Sequence, residues 1–253
     1  MKQNILITND DGINAKGLRA LIEVASEFGK VTIVAPEMGM SGMSHAITMT
    51  NPLFLRRIKI ADSVEVYACQ GTPVDCVKIA VDSIMEEAPT LILSGINHGS
   101  NSNVSVLYSG TMGAATEGAT YNVPSIGFSL TSHLANADFT AARYYVKEIL
   151  EKVLQHNCNK SLCLNVNIPS IPSEEIKGIK LCRQANGFWQ EEFDKKLDPR
   201  GREYYWLVGK FINTEPEAAD TDEWALRNGY VSIVPVQVDM TDYKTLKKAE
   251  TWF

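Results

Sequence analysis

The residues best equipped for chemistry lie near the amino terminus, in the run Asn4-Ile5-Leu6-Ile7-Thr8-Asn9-Asp10-Asp11-Gly12. Ile5 through Thr8 are apolar or β-branched and read as a buried strand. The run then breaks into Asn9-Asp10-Asp11-Gly12, which is polar and turn-forming. In an open α/β sheet, ligands bind at the carboxyl ends of strands. Two adjacent carboxylates placed there repel each other unless a cation lies between them or water separates them. This stretch alone leaves two readings open. One is a divalent metal held at the strand tip, and the other is a solvated Asp-Asp turn capping the next helix.

Further polar segments at residues 39–44, 94–101 and 109–111 follow predicted strands or lie just downstream of one. If the sheet is parallel, their strand-proximal ends share one edge. Asp10 and Asp11 would then bring carboxylates, Ser41 a hydroxyl and Asn97 an amide carbonyl. Such hard oxygen donors suit Mg2+ or Mn2+ rather than zinc. Tyr108-Ser109-Gly110-Thr111-Met112-Gly113 sits at a helix start, where free N–H groups and the helix dipole favour a phosphate. Gly110 permits close approach, and Ser109 and Thr111 add hydroxyls. An ordinary helix cap by Ser109 or Thr111 explains the same residues without a ligand, and no G-x-x-x-x-G-K-[ST] is present. His98, inside the Asn97 loop, is the best placed histidine for proton transfer. Loop packing or solvent exposure is its alternative reading, and His45, His133 and His156 are weaker candidates.

The elements that must position these residues alternate. Residues 17–28 put Leu18, Leu21, Ile22 and Ala25 on one helical face, closed by Gly29 as a C-cap. Residues 31–35 form a second buried strand, so β-loop-α-β and a parallel sheet follow. Residues 47–60 read as a hairpin excursion and 64–69 as a strand. Thr72 caps a helix with Pro73 at its first position, running to about Met85 and burying Val74, Val77, Val81 and Ile84. Residues 90–93 are a central strand ending in the polar loop 94–101. Then come a small-residue helix after Thr111, a strand at 125–129, an amphipathic helix at 138–155 and a strand at 162–166. The pattern predicts an α/β fold, a Rossmann-like three-layer sandwich with a mostly parallel sheet. Beyond Pro169 it loosens, with extended stretches at 179–183, 203–208 and 231–235 and a turn at 198–202. We therefore expect a Rossmann-like catalytic core over residues 1–170 and, over 171–253, a β-rich C-terminal arm with core-completing and oligomerisation elements, in a single functional unit. Trp252 and Phe253 in that arm are expected to bury against a partner.

A chain of 253 residues with 45% hydrophobic and 21% charged residues suits one soluble α/β unit. Its net charge of −6 argues against bulk nucleic-acid binding, which needs a basic face. Cys69, Cys76, Cys158, Cys163 and Cys182 contain no C-x-x-C pair and read as free buried thiols in a reducing, cytoplasmic setting. No apolar run approaches the roughly 20 residues of a membrane span, and no signal peptide is visible.

Together these residues resemble the SurE family of stationary-phase survival nucleotidases. The resemblance is carried by N-D-D-G-I-N-A-K-G-L, A-P-E-M-G-M-S-G-M-S, G-T-P-V-D-C-V and S-G-I-N-H-G-S-N. It continues through Y-S-G-T-M-G-A-A-T-E-G, L-N-V-N-I-P, D-P-R-G-R-E-Y-Y-W and T-D-E-W-A…G-Y-V-S-I, in family order from Asn9 to Ile233. It implies a divalent-metal-dependent phosphatase acting on nucleoside 5′- and 3′-monophosphates, with polyphosphate trimming in some members. By position, Asp10, Asp11, Ser41 and Asn97 match the family's metal ligands. Asn9 and Ser109, Gly110 and Thr111 match its substrate and phosphate contacts. The resemblance also implies a C-terminal extension exchanged between subunits, hence a homodimer or homotetramer.

Two stretches depart from the family. Asn103-Val104-Ser105 stands where Gly and Asp are common, and Met38-Gly39-Met40 where basic or polar residues are common. The expected chemistry is attack by a metal-activated water, with Asp10 or Asp11 orienting or deprotonating it. A covalent aspartyl-phosphate competes with that scheme. Asp75, in the first turn of the helix capped by Thr72, suits the helix dipole, and its place in the family motif leaves room for a role near the nucleoside. Phe188, Trp189, Tyr204, Tyr205 and Trp206 read as buried arm packing, with base stacking as the alternative. Arg200 and Arg202 read as turn or interface charges rather than phosphate ligands. A haloacid-dehalogenase-type phosphatase wants Asp-x-Asp and is discounted. A nucleotide- or metal-binding sensor built on the same loops remains the non-enzymatic rival.

Overall fold

A computed structural model describes residues 2–60, 64–156 and 162–253. In chain order the elements are β1 (Gln3–Thr8), α1 (Lys16–Ala25), β2 (Gly29–Pro36), β3 (Leu55–Ile60), β4 (Val64–Cys69) and α2 (Pro73–Ile79). There follow β5 (Leu91–His98), α3 (Gly110–Thr120), β6 (Ser125–Leu130), α4 (Thr140–Gln155) and β7 (Cys163–Ile168). The C-terminal part holds β8 (Ile179–Leu181), β9 (Gly187–Leu197), β10 (Glu203–Asn213), α5 (Asp222–Arg227), β11 (Val231–Pro235) and α6 (Tyr243–Ala249).

The main sheet has the order β3-β4-β2-β1-β5-β6-β7-β11-β8. Strands β4, β2, β1, β5, β6 and β7 run parallel, while β3 is antiparallel to β4 and β11 antiparallel to β7. From β1 the chain winds outward to β2 and β4, then returns across β1 to β5. Strands β1 and β5 therefore flank the topological switch point, where such sheets open a crevice at their carboxyl ends. Helices α1 and α4 pack together on one face and α2 and α3 on the other, giving an α/β three-layer, Rossmann-like architecture. Ile5, Ile7, Leu21, Ile33, Leu93 and Phe128 lie in the first core, and Leu6, Val34, Val77 and Ile92 in the second. Successive residues of β1 alternate between the two cores, as the strand period requires.

Local sequence chemistry explains several element ends. Thr72 caps α2 by accepting from the Asp75 amide at 3.1 Å, while an Asp75 carboxylate oxygen accepts from the Thr72 amide at 2.9 Å. Ser109 caps α3 through the Met112 amide at 3.0 Å.

Elsewhere the structure corrects the expectation. Gly29 does not cap α1; Ser26 ends that helix, and Gly29 opens β2 opposite Gln3. A Cβ there would come 2.0 Å from the Gln3 carbonyl, so only glycine allows this pairing. The polar run after Leu93 is not all loop. Strand β5 continues to His98, with a register irregularity between Ser94 and Asn97. Val81 and Ile84 are only partly buried. Strands β8 and β11 extend the main sheet, whereas β9 and β10 form a separate antiparallel hairpin. Phe188, Trp189, Tyr204, Tyr205 and Trp206 are exposed in the single chain rather than packed away. The described cysteines, Cys69, Cys76, Cys163 and Cys182, are buried free thiols, and Cys158 lies outside the described residues. No helix among the described residues is long and apolar enough to cross a membrane.

Candidate active site

Asp10 and Asp11 follow the last residue of β1, at the switch point. Asp10 is 4% exposed, and Asp11 is partly buried. Burial pushes the Asp10 carboxyl up to about 6, helped by the neighbouring Asp11 charge and opposed by the hydrogen bond from Thr111. Burial likewise raises Asp11, against the amide of His98 and the imidazoles of His98 and His133. Burial thus raises both neighbouring carboxyls, and a cation between them would favour their ionised forms.

The start of α3 is built onto Asp10. The Thr111 hydroxyl donates to Asp10 Oδ1 at 2.5 Å, and the Thr111 amide also reaches the carboxyl group. A Cβ on Gly110 would lie 3.0 Å from Asp10 Oδ2 and 2.9 Å from its Cβ, so a glycine is required for this approach. The positive end of α3 thus faces the carboxylates at the sheet edge, where an anion would also be held. Asn9 is fully buried and donates through Nδ2 to the Gly12 carbonyl at 3.0 Å. Its Oδ1 is buried without a hydrogen-bond partner among the described residues.

On the other flank the His98 amide donates to Asp11 Oδ2 at 2.9 Å. Asn97 donates its Nδ2 to the Gly99 carbonyl at 2.8 Å, which fixes the amide and leaves its carbonyl oxygen free for a ligand. The loop carrying Ser41 is tied over the site by the Met40 amide, which donates to the Asp10 carbonyl at 2.7 Å. Ser41 itself is exposed. Strand ends thus bring Asp10, Asp11 and Asn97 to one edge, and the loop after β2 brings Ser41 toward it. No group of three or more His, Cys, Asp or Glu suited to a metal exists among the described residues. The donors here are two carboxylates plus neutral amide and hydroxyl oxygens, a set suited to a hard divalent ion.

The histidines divide clearly. The His98 ring packs edge-on against Phe139, with centroids 5.1 Å apart, and its Nδ1 is buried without a partner among the described residues. His45 is pinned away from the carboxylates by Glu117 at 2.7 Å and the Thr116 hydroxyl at 3.1 Å. His133 lies over Gly99, close enough to Asp11 to influence its charge. Asp75 is fully occupied by Thr72 and by the Thr48 amide and hydroxyl, at 3.0 and 2.6 Å. Arg202 pairs with Asp198 within its own turn. Sequence reasoning missed the Met40 amide, which has no side-chain signal. It also missed the buried Asn165 and Asn167, which L-N-V-N-I-P displays openly on a core strand.

The family model described as Survival protein SurE matches residues 5–191. The chain belongs to the SurE family. It is 53% identical to the 5′-nucleotidase SurE of Christiangramia forsetii, covering 99% of this chain and 97% of that one. It is 52% identical to the 5′-nucleotidase SurE of Flavobacterium johnsoniae, covering 99% and 97%. The crystal structure of the SurE protein from Aquifex aeolicus superposes with a TM-score of 0.83 at 38% identity, covering 98% of each chain. The SurE match spans the site, since Asp10, Asp11, Ser41, Asn97 and residues 109–111 all fall within it.

Proposed function

We propose that this chain is a divalent-metal-dependent 5′-nucleotidase, hydrolysing nucleoside monophosphates to nucleoside and phosphate. Asp10, Asp11, Ser41 and Asn97 would hold one Mg2+ or Mn2+ ion per subunit. The observation that carries this reading is the buried Asp10 carboxylate at the switch point, joined to the first turn of α3. The full-length relatives named 5′-nucleotidase supply the substrate class.

When bound, the ion supplies positive charge to the phosphoryl oxygens and lowers the pKa of a coordinated water. The chain does the rest. Ser109, Gly110 and Thr111 seat the phosphoryl group at the N-terminus of α3, where charge developing on its equatorial oxygens is stabilised. Asn9 would contact the substrate, its unpaired Oδ1 able to accept from a hydroxyl. Asp11, fixed by the His98 amide, orients the attacking water, and a carboxylate of the pair takes its proton. The water oxygen forms the new bond to phosphorus as the bond to the nucleoside oxygen breaks in line, and that oxygen leaves with a proton taken from solvent. An aspartyl-phosphate is less suited here, because Asp10 is already engaged by Thr111.

The finer activities follow the same site. We extend the proposal to 3′-monophosphates and to trimming of polyphosphate ends, both of which present a terminal phosphoryl group. Free buried thiols favour a reducing compartment, the cytoplasm. The exposed apolar hairpin and tail favour a homodimer or homotetramer joined through the C-terminal arm.

Phosphate release from AMP, GMP and 3′-AMP, with Mn2+, with Mg2+ and with neither, tests the reading. Release only with metal supports it. No release under any condition would leave a nucleotide or metal sensor.

A further inference from the structure

The segment between β5 and α3 links the Asn97 amide to the phosphate seat. It has no strand ladder to hold it. Instead it lies in a buried polar seam. Asn167 Oδ1 accepts from the Asn101 amide at 2.7 Å and from the Ser100 hydroxyl at 3.1 Å. Asn101 donates to the Ser129 hydroxyl at 2.8 Å and accepts from Asn165 at 2.8 Å through its carbonyl. These contacts come from the sheet beneath.

The other side of the seam comes from the far C-terminal part of the chain. Asp222 Oδ2 accepts from the Asn103 amide at 2.8 Å. Glu223 Oε1 accepts from the Asn103 side-chain amide at 2.6 Å and from the Ser102 hydroxyl at 2.6 Å. Asn103 adopts φ +52, a left-handed conformation that Asn tolerates better than most side chains. Its Oδ1 accepts from the Ser105 amide at 2.9 Å and hydroxyl at 3.0 Å, starting the turn Asn103–Leu107. The carbonyls that end this turn carry the other wall of the site. Ser44 donates its amide to Tyr108 at 3.1 Å and its hydroxyl to Leu107 at 2.6 Å, three residues after Ser41.

We propose that Asp222 and Glu223 are positioning residues for the phosphate seat. Acting through Asn103, they set the segment that carries Ser109, Gly110 and Thr111 and that supports the Ser41 loop. The departure at Asn103 is then part of the device, since its side chain adds the contacts to Glu223 and Ser105 that a glycine lacks. Trp189 of β9 donates to the Ser105 hydroxyl at 3.2 Å, so the base of the hairpin joins the same unit.

This inference rests on the reading of residues 109–111 as the phosphate seat. Its test uses the full chain with Mn2+ as wild type, Asn103→Gly, Glu223→Ala, Glu223→Gln and the double variant Asn103→Gly/Glu223→Ala. Asn103→Gly keeps a residue at ease at φ +52 while deleting the side-chain contacts. Two quantities are read: the KM and kcat for AMP, and the affinity for inorganic phosphate by calorimetry, which needs no turnover. Asn103→Gly and Glu223→Ala should each raise KM and weaken phosphate binding by about tenfold, the scale of one hydrogen bond to a charged group. The double variant should lose less than the sum of the two single losses, because the Asn103–Glu223 bond is shared. Glu223→Gln, which keeps an acceptor oxygen, should stay within about threefold of wild type. Folded variants with a lower Tm but unchanged KM and phosphate affinity would overturn the proposal, leaving a purely structural seam. Additive losses in the double variant would overturn it as well. Wild-type phosphate binding without AMP hydrolysis would instead remove the nucleotidase reading and leave the clamp to be judged on phosphate affinity.

Discussion

The Thr111 hydroxyl lies 2.5 Å from Oδ1 of Asp10, across 101 residues of chain. The tip of β1 and the first turn of α3 are therefore one structural unit, with an acid and the proposed phosphate seat sharing a hydrogen bond. Thr111→Val keeps the shape and removes the donor. A hydrogen bond to a charged group is worth about 1.5–3 kcal/mol, so kcat for AMP should fall on the order of tenfold to a hundredfold. The lost bond favoured the ionised carboxylate, so the acid limb of the pH–rate profile should move to higher pH. Thr111→Ser should restore both, and a Thr111→Val profile identical to wild type would separate the hydroxyl from the site.

The raised Asp10 carboxyl makes a statement about metal affinity. Protons and metal compete for the same oxygens, and the free carboxyl takes its proton at about 6. Mn2+ affinity should therefore be level above neutral pH and fall below about 6, approaching tenfold per pH unit for one displaced proton. Calorimetric titration at a series of pH values checks the sign. Affinity that is unchanged between pH 7 and pH 5 would place the metal elsewhere.

Much of the scaffold was legible because it follows from local rules. The run 64–69, the Thr72-Pro73 cap and the strand 231–235 are set by apolar patterning and backbone chemistry that neighbours supply. The alternation of strand and helix sufficed for the fold class. What escaped depends on distant contacts. Gly29 looks like a C-cap until Gln3 is placed beside it. The residues Ser94-Gly95-Ile96-Asn97-His98 look like a loop until β6 pairs with them. Nothing in residues 187–197 marks the strand β9, which takes its conformation from β10 opposite. At the site, the two acids and the helix start could be read from residue type. The Met40 amide, the His98 amide and the Asn103 clamp could not, because they act through main chain or through residues more than a hundred positions away.

The main-chain amide of His98 fixes Asp11. The His98 ring faces Phe139, so His98→Ala should keep kcat within about threefold and cost about 1 kcal/mol of stability, the scale of an aromatic edge contact. AMP kinetics and a denaturant melt separate the two effects. A hundredfold loss of kcat in a fully folded variant would give the imidazole a proton-transfer role.

The hairpin exposes Phe193, Leu197, Trp206 and Leu207 on a single chain. If the arm joins subunits, the wild type should sediment as a dimer or tetramer. Phe193→Glu with Trp206→Glu should shift it to monomer, since charge in an apolar interface is costly to bury. A wild-type monomer at micromolar concentration would remove the arm from assembly.

The central claim is that Asp10 belongs to a metal-dependent phosphoryl-transfer site, and Asp10→Asn addresses it most directly. The substitution retains an oxygen for Thr111 and so preserves the packing, while removing one negative charge from the pair. Mn2+ calorimetry and phosphate release from AMP should be measured on the same folded samples. The account predicts one Mn2+ per wild-type chain, with metal binding and turnover lost together in Asp10→Asn. Near-normal AMP hydrolysis by a folded Asp10→Asn variant would contradict it.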